Sequence, residues 1–152
     1  MGYRALFVAV LAFGSAVAVA QSPRAQQPKT AVTVYKNASC GCCKNWVEHM
    51  RKAGFEVTSV DVENIGEFKG KYGVPTDIAS CHTAVVDGYV VEGHVPSDVV
   101  QRFLRERPQV IGIATPGMPV GSPGMEDPSG RREPYNIVTF DKSGKQTIYE
   151  RR

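Results

Sequence analysis

The sequence predicts an α/β fold, a mixed sheet flanked by helices, and two observations carry this prediction. The first is the order of elements between residues 30 and 107: strand, helix, strand, short helix, two strands and helix. A strand–helix–strand unit favours a parallel strand pair with a right-handed crossover. The second is an Asp-Gly turn between two apolar runs, which predicts an antiparallel hairpin added to the sheet. Together they are typical of the thioredoxin-like layout.

The first strand and helix are the best defined of these elements. Residues 30–35 are rich in β-branched side chains and alternate, which predicts a strand. Residues 42–53 place their apolar side chains on one stripe and their charged ones opposite, which predicts a helix. Gly54 is a helix stop signal.

The next segment is predicted as a strand, a short helix and a loop. Residues 55–62 form the strand, and a break in their alternation near Ser59 predicts a β-bulge. Asn64 and Glu67 have capping-box spacing, which predicts a short helix through Tyr72. The loop over residues 74–82 follows.

The hairpin is predicted at residues 83–92, with Asp87-Gly88 as its turn. A helix then begins near Pro96 and ends before Pro108. Residues 108–134 are rich in Gly and Pro, and we expect one long functional loop there, because structureless loops of this length are uncommon without a function. A terminal hairpin is predicted within residues 136–149.

The start of the chain predicts export. Arg4, an apolar run and Ala18-Val19-Ala20 are typical of a cleaved signal peptide at residues 1–20, with an uncleaved anchor as the alternative. A flexible lead-in at residues 21–29 and a single domain at residues 30–152 would follow. The net charge of +3 is small and no Lys/Arg cluster is present, so nucleic acid is not an expected partner.

Three of the four cysteines, Cys40, Cys42 and Cys43, lie at the predicted start of the first helix. A helix N-terminus favours thiolate over thiol, and thiolates both bind metals and exchange disulfides. Cys40 and Cys43 have Cys-x-x-Cys spacing after a strand, the setting of redox motifs. The additional thiol of Cys42 instead favours a soft metal site, for which Cu(I) is the preferred ion and zinc a competitor.

The fourth cysteine, Cys81, lies beside His82 in the loop before the hairpin. In the predicted layout this loop lies against the start of the first helix, so Cys81 is expected as a fourth sulfur ligand or a disulfide partner. The alternative is a buried, unreactive cysteine. Three functions stay open: copper binding, thiol–disulfide exchange through Cys40 and Cys43, and an exported domain held by two structural disulfides.

Other candidate ligands are less well placed. His94, at the end of the hairpin, is either a ligand or a capping imidazole, and the role of His82 is open in the same way. His49, at the edge of the helix stripe, is expected to be structural. Met118 and Met125 each follow a glycine in the Gly/Pro-rich segment, where a methionine is either incidental or a thioether ligand.

Taken together, these motifs resemble the small exported CopG-type proteins associated with bacterial copper resistance. The matching motifs are Val34-Tyr35-Lys36, Cys40-Gly41-Cys42-Cys43-Lys44 with Trp46, Gly73-Val74-Pro75, Ser80-Cys81-His82-Thr83, Gly93-His94-Val95-Pro96, Gly117-Met118-Pro119 and Gly124-Met125. The resemblance implies a thioredoxin-like protein of the periplasm that binds copper ions, as a multi-copper cluster, and converts Cu(I) and Cu(II) as a copper oxidoreductase. It implies other periplasmic copper-handling proteins as partners. The metal ligands that it implies are Cys40, Cys42, Cys43, Cys81, His94, Met118 and Met125.

Overall fold

The computed structural model describes Gly2 and residues 29–152, so the predicted signal peptide and nearly all of the lead-in lie outside the described residues. The elements are β1 (Ala31–Lys36), α1 (Gly41–Lys52), β2 (Glu56–Asp61), α2 (Ile65–Lys71), a 3₁₀ turn (Thr76–Ile78), β3 (His82–Val86), β4 (Tyr89–Glu92), α3 (Ser97–Glu106), β5 (Gly112–Ala114), β6 (Asn136–Phe140) and β7 (Gln146–Arg151). They form an α/β structure with one seven-stranded mixed sheet in the order β2-β1-β3-β4-β5-β6-β7. In the described part, no helix has the length and apolar composition that a bilayer crossing needs.

The first half of the sheet has the predicted connectivity. β1 pairs parallel with β2 and antiparallel with β3, and β3 pairs antiparallel with β4. Helix α1 crosses between β1 and β2 and buries Trp46, Val47 and Met50 in the main core. The indole Nε1 of Trp46 donates a hydrogen bond of 2.9 Å to the carbonyl oxygen of Val95, which fixes α1 against the segment that follows β4.

The Asp-Gly hairpin turn is confirmed. Asp87 and Gly88 have φ angles of 48° and 83°, the pair of positive values that a two-residue hairpin turn of type I′ requires. The short helix is also present, and the Asn64 side chain caps it by accepting a hydrogen bond of 3.1 Å from the backbone N–H of Gly66.

The predicted β-bulge near Ser59 is wrong. β1 and β2 pair without interruption, with Val34 opposite Ser59. β2 is an edge strand whose residues are all partly or fully exposed, so polar side chains occur on both of its faces without any shift in register. The alternation broke because the strand is solvated, and its backbone is regular.

The single long loop predicted at residues 108–134 is also wrong in part, because it contains strand β5. β5 pairs parallel with β4 and antiparallel with β6, and it joins the terminal hairpin to the rest of the sheet. At Gly112 a Cβ atom would lie 2.2 Å from the carbonyl oxygen of Val90, so only glycine permits this close approach. A three-residue strand that begins with glycine has too little pattern to be recognised from sequence.

The register of the central strands brings three chain segments to one end of the sheet. Lys36 at the end of β1 lies opposite His82 at the start of β3, and Thr83 lies opposite Glu92 at the end of β4. The segments that leave β1, enter β3 and leave β4 therefore meet, and they carry Cys40, Cys81 and His94 respectively.

Candidate metal site

The structure brings the four cysteine sulfurs together at this end of the sheet, with all four Sγ atoms within 4.8 Å of one another. Cys40 is the N-cap of α1, and Cys42 and Cys43 occupy its first turn. The Sγ atom of Cys42 lies 3.5 Å from that of Cys40 and 3.8 Å from that of Cys81. Sulfurs bonded at about 2.3 Å to one tetrahedral metal are themselves about 3.8 Å apart, so these separations fit a shared metal.

Cys40 and Cys43 are joined by a disulfide, whereas Cys42 and Cys81 are free thiols. This is the pairing that the thiol–disulfide alternative requires. By the loop-closure relation, a bridge across so short a loop stabilises the fold by only about 2 kcal/mol, against about 4 kcal/mol for a bridge between the first helix and Cys81. The bridge therefore contributes little to the stability of the fold, and Cys42 and Cys81 remain available beside it.

Cys81 forms the link between the sulfurs and the histidines. Its Sγ atom lies 2.9 Å from Nε2 of His94 and 3.4 Å from Nδ1 of His82. Burial, followed by the neighbouring Cys42, raises the pKa of the Cys81 thiol to about 12. The metal-free thiol is thus protonated at neutral pH, and a metal that binds there has to displace this proton.

His94 is held in the tautomer that a metal ligand needs. Its Nδ1 lies 2.8 Å from the carbonyl oxygen of Pro123, and a carbonyl only accepts, so Nδ1 carries the hydrogen and donates it. Burial lowers the pKa of His94, which keeps the ring neutral. Its Nε2 lone pair therefore points to the Cys81 sulfur, and a hydrogen-bonded outer nitrogen of this kind is what orients ligating histidines.

His82, whose role was left open by the sequence, lies next to the Cys81 sulfur and the His94 ring. Cys81, His82 and His94 form a second group whose ligand atoms lie within 4.8 Å of one another. The His82 ring is fully buried between Trp46 and His94, and burial lowers its pKa well below the ordinary value. Its Nε2 has no hydrogen-bond partner within the described residues. The one sequence feature that pointed to His82 was its position directly after Cys81.

A buried carboxylate, which the sequence did not reveal, anchors the loop that carries Cys81. Glu92 is fully buried and accepts hydrogen bonds from the backbone N–H of Ser80 at 2.6 Å and from the Thr83 hydroxyl at 2.7 Å. Its Oε1 also lies 2.5 Å from Nζ of Lys69 on α2. Because Ser80 and Thr83 flank Cys81 and His82, the carboxylate fixes both ends of this short segment.

The two Gly-Met elements both reach the site through their glycines. Gly124 has a φ of +87°, and a Cβ there would lie 2.6 Å from the carbonyl oxygen of Cys42. The carbonyl oxygen of Gly117 accepts a hydrogen bond from the Ser80 hydroxyl, next to Cys81. Met125 is partly buried, whereas Met118 is 51% exposed and lines a cleft with prolines and Tyr135. The roles of both methionines as ligands stay predictions.

His49 lies apart from these groups and has a structural contact. Its Nε2 accepts a hydrogen bond of 3.0 Å from the backbone N–H of Ser97, the first residue of α3. Burial lowers the pKa of His49, in keeping with a neutral ring that accepts this bond. It links α1 to the start of α3.

The donor set is chemically suited to a soft metal ion. It offers thiolates from the cysteines and neutral imidazoles, which suit copper and zinc. The reduced form offers four sulfurs, whereas the disulfide form leaves Cys42, Cys81 and the two buried histidines.

Comparisons with known proteins agree with this chemistry. The family described as "Protein of unknown function, DUF411" matches residues 78–125, the part from the Cys81 loop to Met125. No curated protein matches the chain significantly. Two solved structures, titled forms 1 and 2 of "Copper resistance protein copG", are each 42% identical to the chain with TM-scores of 0.77. Each match covers 82% of this chain and 99% or 98% of the other. The chain therefore belongs to the CopG copper resistance protein family.

Proposed function

We propose that the protein binds Cu(I) through Cys40, Cys42, Cys43 and Cys81 as part of copper resistance. The observation that carries this proposal is the convergence of four sulfur atoms within 4.8 Å at the start of α1. Thiolates select Cu(I), and the positive end of the helix lowers the cost of gathering their negative charge. The copper-resistance titles of the two related structures support the choice of metal.

His94, Met118 and Met125 are proposed as additional ligands, and the conversion of Cu(I) and Cu(II) as the activity. Sulfur ligands stabilise Cu(I), while imidazole also suits Cu(II), so a site that combines them accommodates both ions. The neutral Nε2 of His94, 2.9 Å from the Cys81 sulfur, supports its inclusion. More than one copper ion is expected, because adjacent Cys42 and Cys43 bridge two ions more easily than they chelate one.

Cys42 is the residue that tests copper binding. We expect reduced Cys42→Ala to lose about tenfold or more in Cu(I) affinity, or about 1.4 kcal/mol, in an anaerobic competition titration against bicinchoninate. Ser39→Ala, an exposed change in the turn that precedes α1, removes no sulfur and is the matched control. Wild-type affinity in Cys42→Ala would count against the proposed site, and metal analysis of the purified protein separates copper from zinc.

The second candidate function is thiol–disulfide exchange through Cys40 and Cys43. It is favoured by the disulfide between them and by the partial exposure of Cys40, where a partner's thiolate can attack. This function needs neither Cys42 nor Cys81. A Cys42→Ala variant that reduces a protein disulfide as fast as wild type, with unchanged copper affinity, would favour it over copper binding.

We also infer a thioredoxin-like domain over residues 30–152, export to the periplasm and contacts with other copper-handling proteins there. The β1–α1–β2 crossover followed by the β3–β4 hairpin supports the fold assignment. The sequence of residues 1–20 supports export. Cell fractionation with N-terminal sequencing tests this, and a mature protein that begins at Gln21 is the expected result.

A further inference from the structure

Two overlapping groups of ligand atoms meet at Cys81. One contains the four cysteines, and the other contains Cys81, His82 and His94. Cys81 belongs to both, and its sulfur lies 3.8 Å from that of Cys42 on one side and 2.9 Å from Nε2 of His94 on the other. A copper ion bound at Cys81 would therefore have sulfur atoms on one side and imidazole nitrogens on the other.

The Cys40–Cys43 disulfide decides how many sulfurs are available. A disulfide sulfur has no thiolate charge, and the thiolate is the form that binds metals. In the structure as it stands, Cys42 and Cys81 are the free cysteines, so the available donors are two sulfurs and two imidazoles. When the bridge is reduced, two further thiolates are added beside Cys42. The oxidation state of the Cys40–Cys43 pair thus decides whether the site offers a sulfur-rich ligand set or a mixed set of sulfur and imidazole ligands.

We propose that Cys40 and Cys43 supply the electrons for copper reduction and that the disulfide they form promotes release of the Cu(I) produced. This inference rests on the proposed copper function and adds the electron source. Each thiolate gives one electron to one Cu(II) ion, so two Cu(II) become two Cu(I) and one S–S bond forms. Protons that were on the thiols leave to solvent. Cu(II) is the oxidant and the dithiol is the reductant, so one turnover needs no other reagent.

The positions of the two sulfurs suit this cycle. The Cα atoms of Cys40 and Cys43 are 5.3 Å apart on one helical turn, so the bond forms and breaks without moving any other segment. Cys43 is fully buried while Cys40 is partly exposed, so a reductant reaches Cys40 first. A dithiol protein or small dithiol resets the pair by disulfide exchange at that sulfur.

Reduction and release are coupled because the two cysteines that donate the electrons are also ligands of the copper ion. The same event that makes Cu(I) removes two of the four sulfurs that would hold it. The Cu(I) keeps Cys42, Cys81 and the two imidazoles of His82 and His94 as its neighbours, a set with only two sulfurs that holds Cu(I) less tightly than four thiolates do. The oxidised protein is therefore ready to pass Cu(I) to an acceptor with more sulfur ligands.

The test uses the full mature protein, reduced with dithiothreitol and desalted anaerobically. Aqueous Cu(II) sulfate is added, Cu(I) is measured by the absorbance of its bathocuproine disulfonate complex, and remaining thiols are alkylated and mapped by mass spectrometry. We expect two Cu(I) per protein in the first phase, a Cys40–Cys43 bridge, and alkylated Cys42 and Cys81. Cys40→Ser should slow this phase by about tenfold or more, whereas Ser39→Ala should not.

The outcomes separate this inference from the proposed function. A protein that competes with bicinchoninate for Cu(I), but keeps Cys40 and Cys43 as thiols after Cu(II) is added, binds copper without using this pair and overturns the inference. A first bridge between Cys42 and Cys81, a scrambled mixture, or wild-type rates in Cys40→Ser overturn it as well. Failure to compete for Cu(I) at all removes the proposed function itself.

Discussion

Replacing Gly124 by alanine tests whether the loop of residues 115–135 is part of the metal site. Gly124 packs directly on the first turn of α1, where an added Cβ would lie 2.6 Å from the carbonyl oxygen of Cys42 and 2.9 Å from the amide nitrogen of Trp46. Both of these are backbone atoms, so no side chain can rotate to make room. The loop itself has to move away from α1.

The matched control is Gly130→Ala in the same loop. Gly130 has a φ of +78°, and an added Cβ there has no neighbour within 4 Å. Gly124 has a similar φ of +87°, but its added Cβ would be crowded by backbone atoms. Both substitutions carry the cost of a left-handed backbone, about 1–2 kcal/mol. Overpacking at Gly124 adds about 1–3 kcal/mol. We therefore expect Gly124→Ala to lose about 2–5 kcal/mol of unfolding free energy and the control about 1–2 kcal/mol.

Urea unfolding of the metal-free reduced protein measures these losses, and a Cu(I) competition titration measures the effect on the site. The added Cβ would also lie 3.4 Å from Nδ1 of His94, whose hydrogen bond to the neighbouring Pro123 orients the ring. Displacement of the loop should therefore weaken Cu(I) binding in Gly124→Ala more than in Gly130→Ala. Equal stabilities and equal affinities for the two variants would show that the loop does not support the site.

Two further predictions concern buried charge. Glu92→Gln should lower the free energy of unfolding, measured in urea, by about 3 kcal/mol, because it leaves the Lys69 ammonium without its buried partner. Adding Lys69→Met should restore part of this loss. A double variant no more stable than Glu92→Gln would contradict the prediction. Burial lowers the pKa values of His49, His82 and His94, so the folded metal-free protein takes up protons less readily than the unfolded chain. Its unfolding free energy should fall as the pH drops below about 6.5, by up to about 1.4 kcal/mol per pH unit for each histidine; equal stability at pH 7 and 5 would refute this.

The sequence predicted those parts of the fold whose signals are local. The helix stripe that buries Trp46 and Met50, and the Asp87-Gly88 turn, each arise from the chemistry of a few neighbouring residues. Strand β5 was missed because what makes it a strand is its pairing with β4 and β6, while its own Gly112 disfavours one. The false bulge at Ser59 has another cause: alternation in a sequence reports burial, and the edge strand β2 is little buried.

The sequence predicted that the Cys81 loop lies against the start of the first helix, but it could not predict how the two histidines and Glu92 are arranged around it. Cysteine spacing and the Cys81-His82 pair are visible in the chain, whereas the register that places His82 opposite Lys36 is not. Sequence could not reveal the buried carboxylate of Glu92 either. A glutamate at the end of an amphipathic strand is usually solvated, and only the packing of α2 places Lys69 beside it.

The disulfide chemistry also bears on how such a site would treat copper and zinc differently. Thiolates are also ligands for zinc, but zinc is redox-inert, so it cannot oxidise the Cys40–Cys43 dithiol. A zinc ion held by the reduced protein therefore leaves all four sulfur ligands in place, whereas Cu(II) removes two of them as it is reduced. The reduced protein titrated with zinc should keep four alkylatable cysteines under anaerobic conditions, and the same titration with Cu(II) should leave Cys42 and Cys81. On this reasoning the chain distinguishes the two metals by electron transfer as well as by affinity, since only the redox-active metal converts the site to the form that releases it.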